Sequence, residues 1–202
     1  IDSVRFIANH SSGKQGYAVA AALAAHGAAV TLISGPVNLP PPAQVNRISV
    51  QTAEQMLAAT QAALPADIAV CAAAVADWHV AGSRHAKLKK PARDMAEPIQ
   101  LSLCENPDIL ASIAQSDQRP ELVIGFAAET EDLQENAFAK RQRKQCDWII
   151  ANQVGGKADP VFGSDMNHIM LIAETAVENW PRMLKTELAN RLAERIAEEL
   201  SK

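Results

Sequence analysis

An amide, two hydroxyls and a lysine are gathered in one short segment near the start of the chain, directly before an Ala-rich stretch. The segment reads NHSSGKQG and occupies residues 9–16. Its small residues would let backbone N–H groups approach an anion at a helix N-terminus, where the helix dipole also favours negative charge. Of the phosphate-loop pattern GxxxxGK[ST], only Gly13 and Lys14 match. Spacing alone leaves open whether the segment binds an anion or is a serine N-cap with a loop.

Two other segments combine small residues with one larger functional group, and each follows an apolar run. The first is AAAVAD at residues 72–77, where the Asp77 carboxylate can accept hydrogen bonds from a ligand or can cap a loop. The second is GFAAET at residues 125–130, where Phe126 can stack on a base or fill the core. The residues of each segment leave both of its roles open.

Basic side chains form two local clusters in a chain whose formal net charge is −4. This overall charge gives no attraction to nucleic acid or to an anionic membrane, so phosphate recognition would depend on the clusters. One lies in an aperiodic polar stretch at about residues 79–98, interpreted as a lid, and contains Lys87, Lys89, Lys90 and Arg93. The other contains Lys140, Arg141, Arg143 and Lys144. Lys140 and Lys144 share a helix face, where they would either bind a common anion or remain solvated.

The cysteines and histidines indicate neither a disulfide framework nor a metal site. Cys71, Cys104 and Cys146 form no CxxC pair, and the five histidines form no HxH or HxxxH pair, so metal ligands stay unassigned. Cys71 lies in an Ala/Val run and is predicted to be a buried small hydrophobe. Reduced thiols, the absence of a secretory signal and the shortness of the apolar runs predict a cytoplasmic protein without membrane partners.

The elements that must position these residues alternate between helix and strand along the chain. Helices are predicted at residues 16–26, 53–64, 106–114, 133–145 and 181–200, with Thr52 and Asn106 as N-caps and Pro107 and Pro181 as first helical residues. Strands are predicted at residues 29–34, 67–74, 121–127, 147–152 and 168–173. This alternation predicts one α/β domain over residues 1–202, a Rossmann-like, doubly wound, mostly parallel sheet with helices on both faces. Ligands bind outside the carboxyl ends of the strands in such sheets.

Taken in order, the segments NHSSGKQG, AAVAD, KLKK, NPDI, GFAAET, K-R-x-R-K and IIAN resemble those of phosphopantothenate–cysteine ligases, over residues 4–200. The resemblance implies a Rossmann-like fold and a two-step reaction of coenzyme A synthesis. The phosphopantothenate carboxylate attacks the α-phosphate of CTP, which arrives with Mg²⁺, and the amine of cysteine then attacks the acyl-cytidylate. The alternatives are an NAD(P)-dependent oxidoreductase, disfavoured because GxGxxG is absent, and a non-catalytic nucleotide-binding module.

The resemblance also implies roles for individual residues. Asn9 matches the residue that contacts the carboxylate and the acyl intermediate, and Lys87 matches the lid lysine that neutralises charge in the transition states. The substrate-binding positions are Asn9, Ser11, Ser12 and Gly13. The nucleotide-binding positions are Cys71, Ala72, Ala73, Asp77, Lys87, Asn106, Pro107, Asp108, Ile109, Phe126, Lys140 and Lys144.

Members of this family are typically homodimers and, in bacteria, are commonly fused to a flavin-dependent decarboxylase, where FMN would bind. They usually begin with a further strand and a Gly-Gly-Thr turn before the segment that reads IDSVR at residues 1–5 of this chain. We therefore expect the chain to be a piece of a longer polypeptide. Its expected partners are phosphopantothenate, cysteine, CTP and a second copy of itself.

Overall fold

The computed structural model describes residues 1–82, 86–89, 99–129, 132–153 and 164–202. The helices there are α1 (Lys14–Ala25), α2 (Ala53–Ala62), α3 (Ile109–Ala114), α4 (Leu133–Lys144) and α5 (Lys185–Leu200). The strands are β1 (Val30–Ser34), β2 (Val45–Ser49), β3 (Ile68–Cys71), β4 (Trp78–Val80), β5 (Leu103–Glu105), β6 (Leu122–Glu129), β7 (Trp148–Gln153), β8 (Met166–Ile172) and β9 (Val177–Leu184). Helices and strands alternate over most of the chain, as predicted.

Five strands form the main sheet, in the order β3-β6-β7-β8-β9. Strands β3, β6 and β7 are parallel, and β8 is antiparallel to both of its neighbours. Strand β9 therefore runs in the same direction as the first three, and the sheet is mostly parallel, which confirms the predicted fold class. Strands β1 and β2 form a separate parallel pair, while β4 and β5 form an antiparallel ribbon.

The core has two layers because successive strand residues point to opposite faces of the sheet. In β6, Leu122 and Ile124 join the cluster that contains α1 and α5, whereas Val123 joins the cluster that contains α3 and α4. Trp148 and Ile149 of β7 divide in the same way. Helices thus cover both faces of the sheet.

The first turn of α1 lies where the C-terminal ends of β1 and β3 come together. The Tyr17 hydroxyl is 3.0 Å from Ser34 Oγ at the end of β1. A Cβ placed on Gly16 would lie 3.7 Å from the Cβ of Ala72, which follows β3. Both strands therefore end at the N-terminus of one helix, which is the edge where ligands bind in open α/β sheets.

The prediction of a helix opening at Pro181 was wrong. Pro181 lies within β9, and α5 begins at Lys185. A proline is tolerated there because β9 is the last strand of the described sheet, and the pairing with β8 is irregular between Asn167 and Ile169. Apolar residues recur every four positions from Leu184 to Leu200 in the sequence, and of these only Leu188, Leu192 and Ile196 are buried.

The helix predicted to open at Asn106 and Pro107 instead begins at Ile109. Asp108 is its N-cap, because its carboxylate accepts the Ala111 N–H at 3.1 Å. Of the predicted lid, residues 79–82 and 86–89 are described, and His79 and Val80 belong to strand β4. Lys90 and Arg93 lie outside the described residues. Strands β2, β4, β5 and β9 were not predicted. No helix among the described residues is long and apolar enough to cross a membrane.

Gly125 provides a test of how tightly α3 packs on the sheet. A Cβ at this position would lie 2.5 Å from Leu110 Cδ2 and 2.9 Å from Ile149 Cδ1. We expect Gly125→Ala to lower the free energy of unfolding by about 1–3 kcal/mol, because both side chains must move in a packed core. Urea denaturation measures this change. The matched control is Gly35→Ala, whose added methyl meets only Met56 at 3.9 Å; equal stability of the two variants would contradict the prediction.

Candidate active site

Two asparagine side chains hold the backbone that follows β3. Asn9 Nδ2 donates a hydrogen bond to the Val75 carbonyl oxygen at 3.0 Å. Asn106 Nδ2 donates to the Ala76 carbonyl oxygen at 2.8 Å, and the Asn106 N–H donates to the Asp77 carbonyl oxygen at 2.8 Å. Three segments predicted separately from the sequence, at residues 9–16, 72–77 and 106–109, therefore meet at one edge of the sheet. Within this junction Ala73, Ala74 and Asp77 are exposed.

The turn before α1 requires a glycine. Gly13 has a φ of 72°, and a Cβ there would lie 2.9 Å from Val37 Cγ1. Gly13 is itself the N-cap of α1, and its N–H donates to Ser11 Oγ at 3.2 Å. The alternative of a serine N-cap is therefore wrong. Ser11 shapes the turn instead, and Ser12 is half-buried beside it.

Asp108 connects the NPDI segment to helix α4. Its carboxylate caps α3 and forms an ion pair with the Lys144 ammonium. Partial burial opposes ionisation of this carboxyl, but the Lys144 ammonium and the Ala111 N–H outweigh burial and hold its pKa below the usual value. Pro107 precedes Asp108, and Ile109, the first residue of α3, is buried in the core.

Lys140 lies on the same face of α4 as Lys144 but contacts a different carboxylate. Its ammonium is 3.3 Å from Glu129 Oε1, at the C-terminal end of β6. The two lysines are thus paired with carboxylates from two neighbouring segments, and this explains how like charges are accommodated one helical turn apart. Their contact with a nucleotide stays a prediction.

Phe126 is partly buried and packs against the core cluster formed by α1, α5 and the sheet. It lies opposite Ile150 in the register of β6 and β7. The structure therefore supports the core-filling role for Phe126. Stacking of its ring on a base stays a prediction.

Lys87 is exposed, and its neighbour Leu88 is held through its backbone. The Leu88 N–H donates to Asp2 Oδ2 at 3.0 Å, and Arg5 Nη2 donates to the Leu88 carbonyl oxygen at 3.1 Å. The sequence reasoning missed Asp2 and Arg5, an acid and a base three residues apart, which precede NHSSGKQG by a few residues.

Lys14, the first residue of α1, lines a cavity of about 330 Å³ beside the N-terminus of α5. Its ammonium is 2.6 Å from Asp165 Oδ1, and Lys185 and the proline-rich loop containing Pro40 and Pro42 complete the wall. Asp165 was not singled out from the sequence. Within the described ranges, no three histidine, cysteine or acidic residues form a metal-binding group.

Cys71 ends β3 and lies beneath the exposed segment at residues 72–77. Burial, with smaller contributions from Cys146 and Asp108, raises the pKa of its thiol to about 12. Burial likewise raises the pKa of the Cys146 thiol to about 11. Both thiols are therefore neutral near pH 7. Cys71 was predicted to be a buried small hydrophobe, and the structure shows it only partly buried.

The whole chain is similar to known proteins. A family model described as DNA/pantothenate metabolism flavoprotein C-terminal domain matches residues 1–200. The coenzyme A biosynthesis bifunctional protein CoaBC of Haemophilus influenzae is 40% identical over an alignment of 203 positions, which covers 100% of this chain and 49% of that protein. CoaBC of Escherichia coli strain K12 is 43% identical over 198 residues, which are 97% of this chain and 48% of that protein.

A solved structure of the same kind of protein has a similar fold. The crystal structure of the C-terminal domain of a CoaBC protein has a TM-score of 0.77 and 32% sequence identity. The alignment covers 100% of this chain and 89% of that one. The chain spans about half the length of the curated relatives it matches.

The pKa shifts of the thiols predict selective alkylation. At pH 8 a thiol with a pKa of about 12 is ionised in roughly one molecule in 10⁴, so iodoacetamide should modify exposed Cys104 long before Cys71 or Cys146. Peptide mass spectrometry measures the three rates. All three should become similar in denaturant, which serves as the control. Alkylation of Cys71 in the folded protein as fast as Cys104 would contradict its assignment as a neutral, partly buried thiol.

Proposed function

The chain belongs to the family of DNA/pantothenate metabolism flavoprotein C-terminal domains, and on this basis we propose that it joins phosphopantothenate to cysteine in coenzyme A biosynthesis, with CTP as the activating nucleotide. The names of the relatives that match nearly the whole chain support the pathway. The convergence of Asn9, residues 72–77 and the NPDI segment at one sheet edge is the observation that carries the proposal.

In the first step, a carboxylate oxygen of phosphopantothenate forms a bond to the α-phosphorus of CTP. The bond from that phosphorus to the bridging oxygen breaks, and pyrophosphate leaves with Mg²⁺. The Asn9 amide donates one N–H to the Val75 carbonyl oxygen. Its second N–H and its own oxygen are proposed to form hydrogen bonds with the substrate carboxylate. No general base is needed, because the attacking carboxylate is already ionised. Catalysis by positioning and electrostatics is therefore sufficient.

In the second step, the amine of cysteine attacks the acyl carbon of the acyl-cytidylate. The carbon–oxygen bond to phosphate breaks, CMP leaves with the electron pair, and the amine proton passes to solvent. Negative charge develops on the departing phosphate and on the acyl oxygen. The exposed Lys87 ammonium is the group proposed to offset it.

The nucleotide is proposed to lie over the backbone of Cys71, Ala72 and Ala73 and beside Asp77, Phe126 and the NPDI segment. Lys140 and Lys144 would meet its phosphates after exchanging their present carboxylate partners for phosphate oxygens. These ion pairs are partly exposed, with ammonium-bearing side chains 27% and 20% accessible. Pairs of this kind contribute little stability, so the exchange is energetically modest.

A homodimer in the cytoplasm completes the proposal. The β4–β5 ribbon presents large apolar side chains to solvent, with Trp78 47% and Leu103 46% exposed. A two-stranded ribbon is marginally stable by itself, and exposed apolar ribbons are typical of surfaces that associate. This ribbon is therefore the surface we propose for contact with the second copy.

Mass spectrometry of the half-reactions tests the function directly. With Mg²⁺, CTP and phosphopantothenate we expect an acyl-cytidylate and pyrophosphate, and addition of cysteine should convert the intermediate to phosphopantothenoylcysteine and CMP. If no product forms, the assay is repeated with the chain extended at its N-terminus. Absence of product from the extended chain as well would refute the ligase activity. Binding of NADPH but not CTP would instead favour the oxidoreductase.

The role of Lys87 is tested in the same assay. We expect Lys87→Gln to lower kcat about 100-fold, because a charge contact made in the transition state is lost, with the larger effect on the cysteine-dependent step. The matched control is Lys89→Gln, which removes the same charge from an exposed residue of the same segment. Equal losses in the two variants would mean that the segment acts through its total charge.

A further inference from the structure

The first five residues of the chain form a compact turn around one carboxylate. Asp2 Oδ1 accepts the N–H groups of Val4 and Arg5, each at 3.0 Å. Asp2 Oδ2 accepts the Arg5 Nε–H at 3.1 Å and a second guanidinium N–H from Arg5 Nη2. The turn is closed by two hydrogen bonds, which the backbone nitrogens of Ile1 and Asp2 donate to the Arg5 carbonyl oxygen. The Asp2–Arg5 pair is therefore fixed relative to its own backbone.

Asp2 and Arg5 both contact the backbone of Leu88, which lies 86 and 83 residues further along the chain. Asp2 accepts the Leu88 N–H and Arg5 donates to the Leu88 carbonyl oxygen, so both polar backbone groups of that residue are satisfied by charged partners. Hydrogen bonds to charged groups are about twice as strong as neutral ones. The Asp2 side chain has no exposed surface, whereas that of Arg5 is 46% exposed.

The Asp2 carboxyl stays ionised across the pH range of biochemical assays. The Arg5 guanidinium and the Leu88 N–H hold the pKa of the Asp2 carboxyl well below its usual value. Protonation of Asp2 therefore does not weaken the contact with Leu88 at the pH values of such assays.

The same short segment ends in the candidate active site. Four residues beyond Arg5, Asn9 is hydrogen-bonded to Val75 at the end of β3. Lys87 is the residue immediately before Leu88. Residues 1–9 therefore contact the backbone next to Lys87 at one end and the backbone after β3, through Asn9, at the other. Lys87 and Asn9 are the two residues assigned to catalysis.

We propose that Asp2 and Arg5 are positioning residues, which place Lys87 for catalysis by fixing the backbone of Leu88. The proposal rests on the role proposed above for Lys87. A lysine side chain has several rotatable bonds, so its ammonium reaches one point reproducibly only if its own backbone is held. Fixing that backbone before the substrate arrives lowers the entropy that must be lost in the transition state.

The variants Asp2→Asn and Arg5→Gln test the proposal in the full-length protein. Each removes one half of the pair, and we expect kcat to fall about tenfold while KM for phosphopantothenate changes less than twofold. Trypsin should also cleave after Lys87 and Lys89 several times faster, because the Leu88 backbone is no longer held. The matched control is Arg119→Gln, which breaks another Arg–Asp pair, in which Arg119 Nη2 donates to both carboxylate oxygens of Asp147. It should leave kcat and this cleavage unchanged.

Combination with Lys87→Gln separates positioning from direct participation. If Arg5 acts through Lys87, adding Arg5→Gln to Lys87→Gln should lower kcat by less than twofold further. A full additional tenfold loss, or a large rise in KM for phosphopantothenate, would show that Arg5 contacts the substrate and would overturn the proposal. Faster cleavage with unchanged kcat would overturn it as well. If the parent protein shows no ligase activity, the proposed function itself would be in question. The trypsin cleavage rates would still test the contact of Asp2 and Arg5 with Leu88.

Discussion

The geometry of the candidate site depends on how the backbone is satisfied after it leaves the sheet. Beyond Cys71 the chain no longer pairs with β6, and the carbonyl oxygens of residues 75–77 would lose their hydrogen-bond partners. Asn9 and Asn106 provide these partners from segments on opposite sides of residues 72–77 in the sequence. Each of these hydrogen bonds contributes about 0.5–1.5 kcal/mol net, and together they hold three segments at one place. The same two asparagines belong to the segments proposed to bind the substrate and the nucleotide.

Charge at this edge is arranged in local pairs. Lys14, Lys140 and Lys144 each contact a carboxylate from another segment, namely Asp165, Glu129 and Asp108. The pairs explain how a chain of net charge −4 can keep a basic surface at one place without repulsion between the lysines. The three lysine side chains are 20–38% exposed, so solvent partly screens the pairs and each adds little stability. In the proposed complex, a triphosphate would therefore replace a carboxylate at modest cost.

Most elements could be predicted from the sequence, and the failures have identifiable causes. Helix α1 was evident from its alanine content and from Gly27 after it, and Thr52 caps α2 through a capping box with Gln55. Strand β9 was missed because Pro181 is typical of a helix start, and only its place at the edge of the described sheet makes it tolerable in a strand. Asn106 looked like an N-cap from its neighbours, but its side chain is used by Ala76, thirty residues earlier in the chain.

The sequence alone determined the fold class and the identity of the site segments, because apolar periodicity and glycine placement are local properties that depend on nearby residues. The tertiary structure decided which groups touch. It paired Lys140 with Glu129 and Lys144 with Asp108, packed Phe126 on the core, and brought Asp2 and Arg5 to Leu88. Contacts of this kind join residues between 11 and 86 positions apart. They follow from how the helices pack on the sheet, and no short window of sequence contains that information.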